Sequence, residues 1–200
     1  RVPADMQEFL AFFEQTRGDP SFDPVARAGI AHLYFVSIHP FEDGNGRVGR
    51  AIAECALSQT LGHASLTGLS SVIAQRRSDY YDALERASRD NEVTEWLRYF
   101  SDVVLAGQAR SLRFVRFLVE KTRFLDRLRG SVNPRQEKAL LRMLREGPDG
   151  FEGGLSAGNY ITITGAPPAT ARRDLGALVE LGALRRTGEK RGTRYWLALG

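Results

Sequence analysis

Cysteine is almost missing from this chain: Cys55 is the only one in 200 residues. A single cysteine can build neither a disulfide framework nor a cysteine metal site, and it fits a reducing compartment, so the cytoplasm is the expected location. Long apolar runs are missing too. The hydrophobic stretches are short and interrupted, which predicts no membrane span and no membrane partner, and no signal peptide is visible. The chain opens on Arg1, not Met, so we expect a piece of a longer protein. A strong excess of either charge is also lacking. The net charge is +4, but it is unevenly spread: residues 1–100 carry 10 basic and 14 acidic side chains, whereas residues 101–130 and 131–200 are each at +4. Such asymmetry hints at an acidic partner for the C-terminal half. What remains is ordinary for a globular protein, 42% hydrophobic and 26% charged, and long enough for one or two domains with real cores.

One polar stretch interrupts this ordinary background, from His39-Pro40-Phe41-Glu42-Asp43-Gly44 to Asn45-Gly46-Arg47-Val48-Gly49-Arg50. Upstream, residues 24–38 are small or apolar and predict a central helix, with His32 a core histidine. Downstream, Val48, Ala51, Ile52, Cys55 and Ala56 recur at helical spacing up to Gly62. The stretch is therefore a loop that opens a helix. Gly44 and Gly46 permit a tight turn and close approach of a ligand, and Asn45 tolerates unusual backbone angles while offering an amide. Free N–H groups at a helix start attract an anion, and phosphate is the usual one. Arg47 and Arg50 lie three apart, on one face, and can fork onto phosphate oxygens. Asp43 beside those oxygens calls for a bridging cation, and Mg²⁺ held by one carboxylate plus phosphates fits. His39 can act as general base near neutral pH. Together these residues describe transfer of a phosphate-bearing group.

The stretch resembles the signature of the Fic family, H-P-F-x-[D/E]-G-N-[G/K]-R, with every fixed position filled and a further arginine at Arg50. The resemblance implies a mainly helical fold and transfer of AMP from ATP to a Ser, Thr or Tyr hydroxyl of a protein target. By position, His39 would deprotonate that hydroxyl, Asp43 would hold Mg²⁺, and Gly44, Asn45 and Gly46 would bind phosphates. Arg47 and Arg50 would hold the β/γ end, and Phe41 would anchor the loop in the core. Arg77-Ser78-Asp79-Tyr80-Tyr81 is similar to the Fic segment after the signature, where Tyr80 and Tyr81 would stack on or bond the adenosine, or else pack in the core. The family's inhibitory motif, Ser/Thr-x-x-x-Glu-Gly/Asn, has no match here, and it would lie in a segment N-terminal to these residues.

Elsewhere the first hundred residues read as helices. Met6, Phe9, Leu10 and Phe13 share one face of the first, Asp23-Pro24 starts the second, Ser70 caps one running to about Ser88, and Thr94 caps the next. Residues 108–129 form a basic amphipathic spacer with Leu112, Val115, Leu118, Val119, Leu125 and Leu128 on its apolar face. Gly130 and Pro134 bracket a break, so the boundary is placed between a Fic-type domain, residues 1–130, and a second domain, residues 131–200.

That second domain reads as helix, short element, turn, helix and hairpin, a small winged helix-turn-helix (α+β), and it resembles the C-terminal domain of many bacterial Fic proteins. Thr170, Arg172 and Arg173 would face a DNA major groove, with Lys190, Arg191 and Arg194 on the wing. The alternative is a module for homodimers or protein contacts. Three functions follow: a protein adenylyltransferase using ATP and Mg²⁺; a transcriptional regulator whose first half senses nucleotide; or a Fic enzyme that moves another phosphate-containing group or removes AMP.

Overall fold

The computed structural model describes residues 1–65, 67–89 and 92–199. It is mainly helical and divides into two units, Arg1–Ser111 and Leu112–Gly200. The division falls inside one long helix, ahead of the 130/131 break read from the sequence.

In the first unit, α1 (Val2–Gln15) and α2 (Pro24–Ile38) are followed by α3 (Asn45–Leu61), α4 (Leu69–Gln75), α5 (Arg77–Arg89) and the start of α6 (Thr94–Leu128). Asp23 caps α2 by accepting the N–H groups of Val25 and Ala26 at 2.9 Å, with Pro24 pre-set in the first turn. Small residues let α2 sit close to its neighbours. A Cβ on Gly29 would meet Leu97 of α6 at 3.0 Å, and one on Gly49 of α3 would meet Val36 at 2.9 Å. Trp96 of α6 is buried against α2 and donates its indole N–H to the Gly29 carbonyl at 2.8 Å.

Arg27 of α2 is fully buried, a position the sequence did not flag. Its guanidinium donates to the Phe13 carbonyl (2.7 Å), the Thr16 hydroxyl (3.0 Å), the Ala56 carbonyl and Gln59 Oε1 (both 3.1 Å), and lies over the Phe13 ring. A buried cation is tolerable only when its donors are satisfied, and satisfying them ties α1, α2 and α3 together.

Several helical faces differ from expectation. On α3 the buried set is Asn45, Gly49, Ala53, Ala56 and Leu57, while Ala51 and Cys55 are exposed. Leu10 of α1 is also exposed. The single helix expected from Ser70 to Ser88 is two helices: Gly68, at φ 57°, caps the first at Leu69, and Arg76, at φ −125° and ψ 50°, breaks it from α5. Conversely, the two helices expected from Thr94 onward are one. Gly107 does not break α6; it admits the Thr67 carbonyl, which a Cβ would meet at 1.7 Å.

In the second unit, α6 ends with Phe117, Phe124 and Leu128 buried, whereas Leu112, Val115, Leu118 and Val119 are exposed. Of the apolar stripe read from sequence, Leu125 and Leu128 pack on the core, while its first four members do not and Phe117 and Phe124 take their place. α7 (Pro134–Leu144), α8 (Ala157–Thr164) and α9 (Pro168–Glu180) precede β1 (Leu184–Thr187) and β2 (Arg194–Leu197), an antiparallel pair in register Leu184 to Leu197. A further antiparallel bridge joins Leu155 to Tyr195. A capping box between Asn133 and Gln136 starts α7. Asp174 of α9 centres the polar core: it accepts from Tyr160 Oη (3.0 Å), Arg135 Nε (3.0 Å) and Asn133 Nδ2 (3.1 Å).

Candidate active site

The loop between α2 and α3 is shaped by three backbone features. His39 ends α2 in the left-handed region, φ 53° and ψ 56°, a conformation that few residues other than glycine adopt. Gly44, at φ 88°, caps α3 without a side chain. Asn45, nearly buried, then staples the loop: its Oδ1 accepts from the Phe41 N–H at 3.0 Å and its Nδ2 donates to the Phe41 carbonyl at 2.6 Å. The Asn45 amide is therefore committed to the protein. The Phe41 ring is 51% exposed, with Phe35 as its aromatic neighbour at 6.2 Å, so the loop is anchored through the Phe41 backbone and not by a ring in the core.

Beyond this turn, α3 begins with N–H groups that have no partner within the helix. That helix start borders a cleft of about 520 Å³ lined by His39, Asp43, Gly44, Asn45, Gly46, Arg47, Arg50, Tyr80 and Tyr81. Of the residues the signature and the following segment nominate, all but the anchor Phe41 thus line one cleft. Arg47 Nη2 pairs with Asp43 Oδ2 at 3.2 Å, both exposed. Arg50, half-buried, donates from Nε to the Ser70 hydroxyl at 3.0 Å.

The two tyrosines part company. Tyr80 is buried, and its hydroxyl lies 3.0 Å from His32 Nε2; burial pushes that hydroxyl up to about 12. Tyr81 is exposed beside Arg77, whose guanidinium sits 5.6 Å from the ring centroid. Arg77 also lines the cleft, as do Ser37, Leu84 and Ser88. Of these only Arg77 carried a sequence signal, its place in the Arg-x-x-Tyr-Tyr segment. His32 is a core residue, stacked on Trp96 at 5.5 Å and 12°. Its burial, helped by the Arg50 charge, lowers its pKa to about 4, so it is neutral at pH 7.

In the second unit, Arg172, Lys190, Arg191 and Arg194 line another cleft, of about 830 Å³, joined by Arg186 and by Glu180. Thr170 is half-buried and Arg173 exposed, and neither lines it. Arg194 turns back onto the carbonyls of Thr193 (2.9 Å) and Arg191 (3.2 Å).

No helix among the described residues is long and apolar enough to cross a membrane. Residues 1–57 match the family model of the Fic/DOC family. The chain is 32% identical over 105 residues to the protein adenylyltransferase Fic of Aedes aegypti, and 33% identical over 105 residues to that of Culex quinquefasciatus. Each match covers 50% of this chain and 19% of the relative, so the chain spans about a fifth of the length of the curated relatives it matches. A crystal structure of a Fic family protein from Desulfovibrio desulfuricans G20 is similar over 98% of this chain and 55% of its own, with a TM-score of 0.51 and 24% identity, a likeness of fold. The cleft-forming loop of this chain thus lies inside a Fic/DOC family match, within a helical fold that a Fic family protein shares.

Proposed function

We propose that this chain is a protein adenylyltransferase, transferring AMP from ATP to a Ser, Thr or Tyr hydroxyl of a protein target. The observation that carries the reading is the single cleft holding a base, a carboxylate, a glycine-capped helix start and two arginines. In this reading the α3 N-terminus and the backbone at Gly44–Gly46 bind phosphate, and Arg47 and Arg50 hold the β/γ end. His39 accepts the proton of the target hydroxyl. The hydroxyl oxygen attacks the α-phosphorus, the bond to the β-phosphate oxygen breaks, and pyrophosphate leaves.

Among the described residues no group of three or more His, Cys, Asp or Glu is assembled. The exposed Asp43 carboxylate fits Mg²⁺ in another way, as one ligand to an ion whose other ligands are phosphates and water. Bound there, Mg²⁺ would neutralise phosphate charge and free Arg47 from its pair with Asp43. Incubation of the chain with Mg²⁺, a lysate and ATP labelled at the α-phosphate should label protein beyond the lysate alone, whereas with ATP labelled at the γ-phosphate the chain should add nothing to the labelling by the lysate's own kinases. A chelator should suppress the labelling. Absence of α-label in protein sinks the reading. Release of AMP from a pre-labelled target would favour AMP removal, and label from another nucleotide alone would favour a different transferred group.

A second reading concerns the second unit. The order of α7, the Leu155 bridge, α8, α9 and the β1–β2 hairpin supports a winged helix, and the basic cleft supports contact with the phosphates of duplex DNA. Paired with a first unit that only senses nucleotide, this would make a transcriptional regulator. The labelling experiment separates the two, since a sensor labels nothing.

A further inference from the structure

We infer that Ser70 is a positioning residue that aims Arg50 into the cleft; this rests on the reading of Arg50 as a holder of the β/γ-phosphates. Arg50 stands in the second turn of α3, held by one hydrogen bond and lying over Gly46. Its Nε donates to the Ser70 hydroxyl at 3.0 Å, from the first turn of α4. Its Nη1 lies against Gly46, where an added Cβ would come within 3.3 Å of that nitrogen. The guanidinium is planar, so fixing Nε and laying Nη1 over the α3 N-terminus sets the direction of the whole group. The two terminal nitrogens, which form the fork that matches phosphate, are the ones left for a ligand. A long side chain held in its bound geometry has less freedom to lose when the ligand arrives.

The chemistry of the holder matters as much as its place. Arg47 is paired with a carboxylate, Asp43, so a phosphate must compete for it. Ser70 is neutral: it orients Arg50 without cancelling its charge. That charge is felt across the cleft wall: it adds to the burial that lowers the His32 pKa, and it partly offsets the burial that raises that of Tyr80. A carboxylate at position 70 would orient the same guanidinium and neutralise it.

The test is calorimetric binding of ATP and of AMP, with Mg²⁺, to the whole chain and to four variants, each checked by thermal melt. Ser70→Ala should weaken ATP binding about three- to tenfold, the worth of one ordinary hydrogen bond, and leave AMP binding unchanged. Ser70→Thr should restore ATP binding to within about twofold, because the hydroxyl returns. Ser70→Asp should bind ATP more weakly than Ser70→Ala, with AMP again spared. Arg50→Ala should cut the preference for ATP over AMP further than Ser70→Ala does, leaving only what Arg47 and Mg²⁺ supply. If that preference depends on Arg50 but Ser70→Ala leaves it intact, the role of Ser70 is wrong and the reading of Arg50 stands. Equal weakening of ATP and AMP, or failure of Ser70→Thr to rescue, would also overturn it in favour of a merely structural contact. If Arg50→Ala keeps the full preference, the reading of Arg50 falls and the inference with it.

Discussion

The two clefts of this molecule are built on opposite plans. In the first, most of the charged groups are held by the protein: Arg47 by Asp43, Arg50 by Ser70. The backbone there is equally fixed, with His39 in a left-handed turn and Asn45 stapling Phe41 at both its N–H and its carbonyl. In the second cleft, Arg172, Arg186, Lys190 and Arg191 stand exposed on a helix, a strand and a turn, with Glu180 the one acid among them; only Arg194 is tied back. Fixed groups cost little reorganisation when a small ligand must be held for chemistry. Mobile exposed cations suit an extended polyanion, where many weak contacts share the load. The proposed functions assign the fixed charge to a reaction site and the loose charge to a contact surface.

The sharpest way to break this comparison is at His39. His39→Ala should lower the rate of transfer by about two to four orders of magnitude, the range for losing a general base, while ATP affinity stays within a few-fold. The measurement is label incorporation beside calorimetric ATP binding. Loss of both in proportion would move His39 from proton transfer to phosphate binding. A rate near that of the parent chain would mean that the fixed cleft is no reaction site at all.

How far these plans could be read in advance depends on how local their causes are. The chemistry-bearing residues of the first cleft are legible because they are sequence neighbours at a helix start, where glycine, charge and helix dipole act within one turn. Asn45 was legible as a loop residue but not as a staple, since its partner is decided by how the turn folds back on Phe41. The aromatic Phe41 promised a core anchor, yet half of the ring is exposed. Helix existence was legible, helix phase less so. On α6 two apolar stripes compete: Leu128 was legible, but only tertiary packing selects Phe117 and Phe124 over Leu112, Val115 and Val119. Arg27 left no signal, because a fully buried arginine paired with carbonyls and hydroxyls looks in sequence like any surface cation.

The next contrast lies beneath the clefts, in the buried titratable group of each unit. Folding holds His32 at about 4, chiefly by burial, against about 6.5 in an unfolded chain. Between those values the unfolded chain takes up a proton that the folded one refuses. Stability of the first unit is therefore complete above about pH 6.5 and falls by ~3 kcal/mol as pH drops toward 4. For Asp174, burial opposes the charge, but hydrogen bonds from Arg135, Tyr160 and Asn133 outweigh it and hold the carboxyl below its ordinary value. Its contribution is complete above the unfolded carboxyl value near 4 and is lost only below that. Each unit carries one tryptophan, Trp96 in the first and Trp196 in the second, so fluorescence can follow them apart through Trp196→Phe and Trp96→Phe. The urea midpoint reported by Trp96 should fall between pH 7 and 5 while that from Trp196 holds steady. Equal slopes in that window would show that His32 does not set the acid limit of the first unit.

The smallest expected effect bears on the loose cleft. If Arg172 and Arg191 meet DNA phosphates, each releases about one condensed counterion on binding, so the logarithm of affinity should fall linearly with the logarithm of salt. Arg172→Ala combined with Arg191→Ala should then weaken binding to a mixed-sequence duplex only several-fold at low salt, but should flatten the salt slope by about two. Arg173→Ala, away from the cleft lining, should change the slope by less. Nucleotide binding at the first cleft supplies the internal control, because the double variant touches none of its lining residues. The salt slope is the stronger readout. A general loss of folding would weaken DNA binding without removing two units of slope, and would show in the thermal melt. Sequence preference is not needed for this outcome, since phosphate contacts position a protein and do not read bases. Absence of duplex binding even at low salt would leave the second unit as a protein-contact module, and the exposed cations of its cleft would then call for an acidic protein surface instead.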